Sequence, residues 1–181
     1  MNNFKILALE GITGVGKTTQ CKLIKDYLEQ SYTNNKFQVF TIDPENDTSV
    51  LSINQKIDNY LESKDSNIAI LDGTIASVVA LSDLRNNHYN SSIHKLDLEV
   101  KSYLNLLHKY RSINCLLLPT SIDYIEKRTG LNSIYLNTFL KGFDYFEQSQ
   151  IASNLNYLKV DITENDKIIA VFEKIKKTLN L

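Results

Sequence analysis

A glycine-rich segment from Gly11 to Thr18 constrains the fold of this chain more than any other part of its sequence. The segment has the spacing G-x-x-x-x-G-K-T, and it lies between the apolar run from Phe4 to Leu9 and a helical pattern that begins at Thr18. Glycines allow the backbone to curl so that several N–H groups point to one place, while the lysine and the threonine supply a positive charge and an oxygen ligand for Mg²⁺. The segment is therefore predicted to bind the phosphates of a nucleotide such as ATP at the start of a helix.

Short apolar runs alternate with helical patterns along the rest of the chain. The predicted strands are Phe4 to Leu9, Phe37 to Ile42, Ile68 to Leu71, Ile113 to Leu118 and Tyr157 to Val160. Because helical patterns separate these runs, and because the runs are apolar rather than alternating, we expect a parallel sheet that is buried on both faces. The predicted fold class is α/β, a three-layer P-loop NTPase fold with a five-stranded parallel sheet flanked by helices. The 181 residues are expected to form one domain, 1–181.

Ligands of such sheets bind beyond the carboxyl ends of the strands. We therefore expect five places to converge on one crevice: the segments from Glu10 onward and from Pro119 onward, and the residues Asp43, Asp72 and Asp161. Asp72 directly follows the third predicted strand, and a carboxylate there can hold Mg²⁺ through water while Thr18 supplies a hydroxyl ligand. The alternative role of Asp72 is that of an N-cap for the next helix.

The segment Asp43-Pro44-Glu45 ends the second predicted strand, because proline stops the ladder of hydrogen bonds. An acid in this segment, Asp43 or Glu45, can take a proton from an attacking hydroxyl group or bind the acceptor. It can equally be a turn residue that bonds its own backbone. The sequence leaves both interpretations open.

The composition argues against several classes of partner. A net charge of −1 provides no electrostatic footprint for nucleic acid or an anionic membrane, and no apolar run is long enough to span a bilayer. Cys21 and Cys115 lie in apolar contexts and are interpreted as buried free thiols in a reducing compartment. The first residues lack the charged and apolar regions of a signal peptide, so the expected location is cytoplasmic.

The segment from Leu9 to Gln20 resembles the P-loop of thymidylate kinases, which reads E-G-x-x-G-x-G-K-T-T-Q. Asp43-Pro44 stands where that family and the related deoxynucleoside kinases carry Glu-Pro, and Asp72-Gly73 stands where they carry Asp-Arg or Glu-Arg. The resemblance implies ATP and Mg²⁺, a small nucleoside or nucleotide acceptor, and a homodimer. The family's reaction converts dTMP and ATP to dTDP and ADP, a step of dTDP biosynthesis.

The resemblance also implies roles for particular residues. The expected lid is about 127–140, and its Arg128 packs on adenine or touches phosphate, unless it is a solvated helix end. The end of the last strand, at Ile162, borders the adenine in the family. The catalytic set is then Lys17, Asp72, Asp43 and Arg128. The nucleotide-binding set is Gly11, Thr13, Gly14, Val15, Gly16, Lys17, Thr18, Thr19, Arg128 and Ile162.

The sequence departs from the family on the acceptor side. Gly73 replaces the arginine that clamps the acceptor's phosphate, Thr13 stands where an acid often contacts the acceptor's sugar, and 129–140 contains no arginine. Two alternatives follow. The acceptor is a nucleoside or another small hydroxyl compound instead of a monophosphate, or the chain binds ATP without efficient transfer, since a lost arginine can cost several powers of ten in rate.

Overall fold

The computed structural model describes residues 4–42, 50–86, 92–148 and 157–181, and in 81–86, 92–97 and 145–148 it describes the backbone alone. Within these ranges the strands are β1 (Ile6–Gly11), β2 (Lys36–Thr41), β3 (Asn67–Asp72), β4 (Ser112–Pro119) and β5 (Tyr157–Ile162). The helices are α1 (Lys17–Ser31), α2 (Val50–Ser63), α3 (Ile75–Asn86), α4 (Ser92–Lys109), α5 (Ile122–Thr129), α6 (Ser133–Gln148) and α7 (Ile168–Leu179). All five predicted strands are confirmed, with ends that differ by one or two residues.

The five strands form one parallel sheet in the order β2-β3-β1-β4-β5. The predicted α/β class is therefore confirmed. Every residue of β1 and β3 is buried, as expected for strands covered on both faces. The same expectation is wrong for β2 and β5, where buried residues are interspersed with exposed ones. These two strands lie at the edges of the sheet, where the covering layers end and solvent reaches their side chains.

Helix α1 packs on the sheet through residues spaced three and four apart. Cys21, Ile24 and Leu28 are fully buried on one side of the helix. Helix α7 lies beside α1, and its Phe172 meets Tyr27 edge to face, with ring centroids 5.8 Å apart. The core thus fixes the helix that follows the glycine-rich turn along most of its length, from Cys21 to Leu28.

The structure agrees with the expectation that the two cysteines are buried free thiols. Both cysteines are buried and free, and burial raises the pKa of the Cys115 thiol to about 12, so this thiol stays protonated at neutral pH. In the described part of the chain, no helix combines the length and the apolar character that crossing a membrane requires.

Helices α3 and α6 approach each other closely at Gly142. A Cβ atom built on Gly142 would overlap the carbonyl oxygen of Ala80 on α3. Phe139 and Phe143, on the same helix, stack with ring centroids 5.3 Å apart and are both buried. Glycine at position 142 therefore permits a close contact between α3 and α6, and a larger residue there would push the two helices apart.

Replacing Gly142 by alanine should lower the free energy of unfolding by about 1–3 kcal/mol, because the added methyl group overpacks the contact between α3 and α6. Urea denaturation of the wild-type and variant chains measures this difference. Asn137→Ala, at an exposed position of the same helix, is the control and should change stability by less than about 0.5 kcal/mol. Equal stability of Gly142→Ala and the wild type would contradict the close approach of the two helices.

Candidate functional site

The turn between β1 and α1 leads into a helix whose N-terminus has no side-chain cap. Gly16 occupies the N-cap position of α1 with φ 106°, a left-handed conformation that glycine adopts without steric cost. No side chain caps this helix, and no acidic residue lies in its first turn. The first backbone N–H groups of an α-helix lack partners within the helix, and together with the helix dipole they attract anions. The turn therefore has the backbone arrangement of an anion-binding loop.

Three side chains at this turn carry charge or metal-binding oxygens. Lys17 Nζ donates hydrogen bonds to the carbonyl oxygens of Gly11 at 2.7 Å and Ile12 at 3.2 Å, so its ammonium group lies against the turn. The Thr18 hydroxyl donates to Asp72 Oδ2 at 2.6 Å. Leu9 of β1 is in register with Asp72 of β3, and this pairing brings the carboxylate to the start of α1.

A cavity of about 350 Å³ opens in front of the turn. The turn and α1 contribute Thr13, Gly14, Gly16, Lys17, Thr18 and Thr19. The ends of β2 and β3 contribute Thr41, Ile42 and Asp72, and the end of α5 contributes Arg128 and Thr129. We call this space the phosphate cavity. Its lining includes two positively charged side chains, Lys17 and Arg128, and the carboxylate of Asp72 at the end of β3.

A second cavity, of about 360 Å³, shares three lining residues with the first: Gly16, Thr19 and Arg128. Its remaining walls come from the turn, from α5 and from the end of β5 with the start of α7: Val15, Gln20, Tyr124, Ile162, Asp166, Lys167, Ile168 and Val171. We call it the side cavity. Arg128 is exposed and lies at the junction, where its Nη1 donates to the Tyr124 hydroxyl at 3.4 Å. One guanidinium thus borders both spaces.

The structure brings most of the residues singled out in the sequence to these two cavities. Thr13, Gly14, Gly16, Lys17, Thr18, Thr19, Asp72 and Arg128 line the phosphate cavity, and Val15 and Ile162 line the side cavity. Gly11 lines neither, because it is still part of the buried strand β1. Asp43 lies outside the described residues, immediately after Ile42.

The carboxyl ends of all five strands lie at one edge of the sheet, as the parallel pairing requires. Pro119 and Asp161 line neither cavity. Tyr124, in the segment that follows Pro119, and Ile162, which follows Asp161, line the side cavity. The space in front of the sheet is divided, and β5 reaches it through Ile162 instead.

Sequence reasoning missed a buried polar cluster next to the turn. Glu10 is fully buried, and its two carboxylate oxygens accept hydrogen bonds from the hydroxyl groups of Thr74 and Ser77, which are also fully buried. Burial raises the pKa of Glu10 above its ordinary value of 4.5, while the bonds from Ser77 and Thr74 and the charge of Lys17 act in the opposite direction. The signal in the sequence is a charged residue at the end of an otherwise apolar strand.

The oxygen atoms at the turn are ligands of the kind that hard cations such as Mg²⁺ take. Thr18 Oγ1 and Asp72 Oδ2 are hard ligands 2.6 Å apart, and Mg²⁺ is usually held by one or two such groups together with waters and substrate phosphates. In the described ranges, no group of three or more histidine, cysteine, aspartate or glutamate side chains is placed to hold a metal on its own. The donor set is that of a metal shared with a phosphate ligand.

The chain was compared with protein families, curated proteins and solved structures. No family model matches the chain, and no curated protein matches it. Among solved structures, deoxyadenosine kinase from M. mycoides with bound dATP is 17% identical, covering 97% of this chain and 100% of that chain with a TM-score of 0.61. Thymidylate kinase from Candida albicans is 14% identical over 98% of this chain and 92% of that chain, with a TM-score of 0.59. Thymidylate kinase from Ehrlichia chaffeensis is 18% identical over 99% of this chain and 100% of that chain, with a TM-score of 0.58.

These likenesses extend over nearly the whole chain and show its fold. The chain has a thymidylate kinase-like P-loop kinase fold, which confirms the fold that the glycine-rich segment and the alternation of strands and helices predicted.

Replacing Glu10 by glutamine should change stability in a pH-dependent way. A carboxyl group whose pKa is raised by folding stabilises the folded state below the unfolded-state pKa, and this contribution is lost as the pH rises through the folded-state pKa. The wild type should therefore lose stability relative to Glu10→Gln as the pH rises above 4.5, the ordinary value for this group. Lys17, Tyr103, Thr74 and Ser77 are the polar groups that act on Glu10.

Urea unfolding of both chains between about pH 4 and pH 8 measures this effect. The control is Asn137→Ala, an exposed position with no ionisable side chain, for which the difference from the wild type should not vary with pH. A difference between wild type and Glu10→Gln that stays constant over the whole range would contradict the raised pKa.

Proposed function

We propose that this chain transfers a phosphoryl group from ATP to a small nucleoside-type acceptor. The observation that carries the proposal is the juxtaposition, in front of one uncapped helix, of Lys17, of the Thr18–Asp72 pair and of two cavities joined at Arg128. An enzyme of phosphoryl transfer works mainly by positioning its reactants and by stabilising charge. The described residues offer those two functions in one place.

The donor half of the proposed site follows the two cavities. The turn and the start of α1 hold the phosphates in the phosphate cavity, and Lys17 carries positive charge to the outer phosphates. Thr18 and Asp72 hold Mg²⁺, directly or through water, and the bound ion supplies further neutralisation of phosphate charge. Adenine occupies the side cavity between Ile162 and Arg128, with the segment 127–140 acting as a lid.

The acceptor half lies toward the ends of β2 and β3. Thr41 and Ile42 form part of the wall of the phosphate cavity, and Asp43 follows them in the chain. Asp43 remains our candidate for orienting the acceptor or taking the proton of its hydroxyl group. By the resemblance to thymidylate kinases, the first acceptor to test is dTMP, which would give dTDP.

A second acceptor class is favoured by the backbone at Gly73. This residue has φ +81°, and a Cβ atom there would lie 2.6 Å from the carbonyl oxygen of Ile42. Its N–H donates to the Leu9 carbonyl at 2.9 Å, so the turn is held between β1 and β2. This conformation strains any side chain, and an arginine that forks onto an acceptor phosphate is therefore disfavoured by the turn itself. A nucleoside, which brings no phosphate of its own, avoids the need for that arginine.

Replacing Lys17 by alanine should weaken the binding of ATP by about 10- to 100-fold, because a charge-assisted hydrogen bond contributes roughly 1.5–3 kcal/mol. Isothermal titration calorimetry with ATP and Mg²⁺ measures the affinity, and release of ADP measures turnover. Lys22→Ala, at an exposed position of the same helix, should behave like the wild type. Unchanged ATP affinity in Lys17→Ala would refute the assignment of the phosphate cavity.

The acceptor is tested by measuring ADP release with each deoxynucleoside and with its 5′-monophosphate. If the conformation of Gly73 decides the acceptor, at least one deoxynucleoside should turn over about tenfold or more faster than its monophosphate, an effect of about 1.4 kcal/mol. Preferential turnover of dTMP would support the thymidylate kinase reaction instead. Tight ATP binding without turnover of any acceptor would contradict the proposed enzyme and indicate a nucleotide-binding module that does not catalyse transfer.

A further inference from the structure

The buried carboxylate of Glu10 has no task in the chemistry proposed above. It lies at the end of β1, one residue before the glycine-rich turn, and is fully buried. Both of its oxygen atoms are used, one by the hydroxyl group of Thr74 and the other by that of Ser77. Neither cavity reaches it, so it does not contact a ligand that occupies them.

Stability alone does not explain why a carboxylate stands in this place. Removing a carboxylate from water costs several kcal/mol, and a neutral group of the same shape is often neutral or stabilising in its place. The two hydroxyl groups and the charge of Lys17 only partly offset the cost of burial. A carboxyl group that is fully buried beside the glycine-rich turn therefore calls for an explanation in the neighbouring site.

The hydrogen bonds of Glu10 hold the turn that carries Asp72. Thr74 caps the start of α3, where its hydroxyl oxygen accepts a bond from the backbone N–H of Ala76 at 3.2 Å. Ser77 lies in the first turn of the same helix. Since Asp72 and Gly73 directly precede Thr74, the carboxylate of Glu10 fastens both the start of α3 and the end of the Asp72 turn to β1.

Asp72 is itself aimed at the start of α1. Its Oδ2 accepts the 2.6 Å bond from Thr18, and its residue is only 2% exposed, so the direction of this side chain depends on the backbone that carries it. The backbone N–H of Gly73 is bonded to Leu9, the residue before Glu10. The end of β1 therefore holds the Asp72 turn twice, once through its main chain and once through the side chain of Glu10.

From this geometry we infer that Glu10 is a positioning residue, which fixes the Asp72 carboxylate toward Thr18 and thereby sets the affinity of the site for Mg²⁺ in the presence of nucleotide. The inference rests on the proposed function, because it assigns Thr18 and Asp72 to the metal. Groups that orient metal-binding side chains commonly change metal affinity by about 10- to 100-fold when they are replaced.

The test compares Glu10→Gln, Asp72→Asn and the double variant with the wild type. Calorimetry gives the affinity for ATP in EDTA and at saturating Mg²⁺, and a Mg²⁺ titration at fixed ATP gives the half-saturating concentration. Glu10→Gln should raise that concentration about tenfold or more, while its ATP affinity in EDTA stays within about twofold of the wild type. In the Asp72→Asn background, Glu10→Gln should have no further effect, since it acts through Asp72.

The other possible outcomes contradict either the inference about Glu10 or the proposed function. An unchanged Mg²⁺ requirement in Glu10→Gln, or effects of the two substitutions that simply add, would overturn the inference and leave the proposed function intact. Weaker ATP binding in EDTA would also overturn it, because Glu10 would then act on the phosphate-binding turn. A wild-type chain that binds no ATP would overturn the proposed function itself. Ser77→Ala, which removes one of the two hydrogen bonds, takes the place of Glu10→Gln if that variant does not fold.

Discussion

The hydrogen-bond ladder on both sides of β1 is the constraint on which the rest of this structure depends. β1 pairs with β3 through Leu9 and Asp72 and with β4 through Gly11 and Leu117, so the turn that follows it begins at the centre of the sheet. Parallel pairing puts the carboxyl ends of neighbouring strands at one edge. The register, more than any single side chain, delivers the Asp72 carboxylate to the start of α1, where Thr18 meets it.

Charge at this edge is arranged around the end of one helix. The uncapped start of α1 and Lys17 attract anions. The side chains of Glu10 and Asp72 are buried near the carboxyl ends of the neighbouring strands β1 and β3. The two acids differ in their surroundings. Asp72 lines the phosphate cavity and accepts a hydrogen bond from Thr18. Glu10 lines neither cavity and accepts hydrogen bonds from two hydroxyl groups at the start of α3, those of Thr74 and Ser77. The carboxylate of Asp72 therefore faces a cavity, whereas that of Glu10 binds groups at the start of α3.

At position 73, where the resemblance to thymidylate kinases would place an arginine, the backbone of this chain has a conformation that favours glycine. From the sequence, Gly73 is simply a missing arginine. In the structure it has a left-handed conformation and lies against the Ile42 carbonyl, so the turn itself is built around the absence of a side chain. An arginine introduced at this position would therefore strain the turn after β3.

The sequence by itself determined the strands, the glycine-rich turn between β1 and α1 and the fold class, because these depend on apolar runs and glycine spacing within a few residues of one another. It also identified most of the cavity lining, since the residues concerned follow the ends of recognisable strands. Only the tertiary structure decided the order of the strands, the exposure of β2 and β5, the partners of Glu10 and the position of Arg128 between two cavities. These features join residues that are tens of positions apart, such as Glu10 and Thr74, and no local pattern records which distant segment a strand end or a helix will meet.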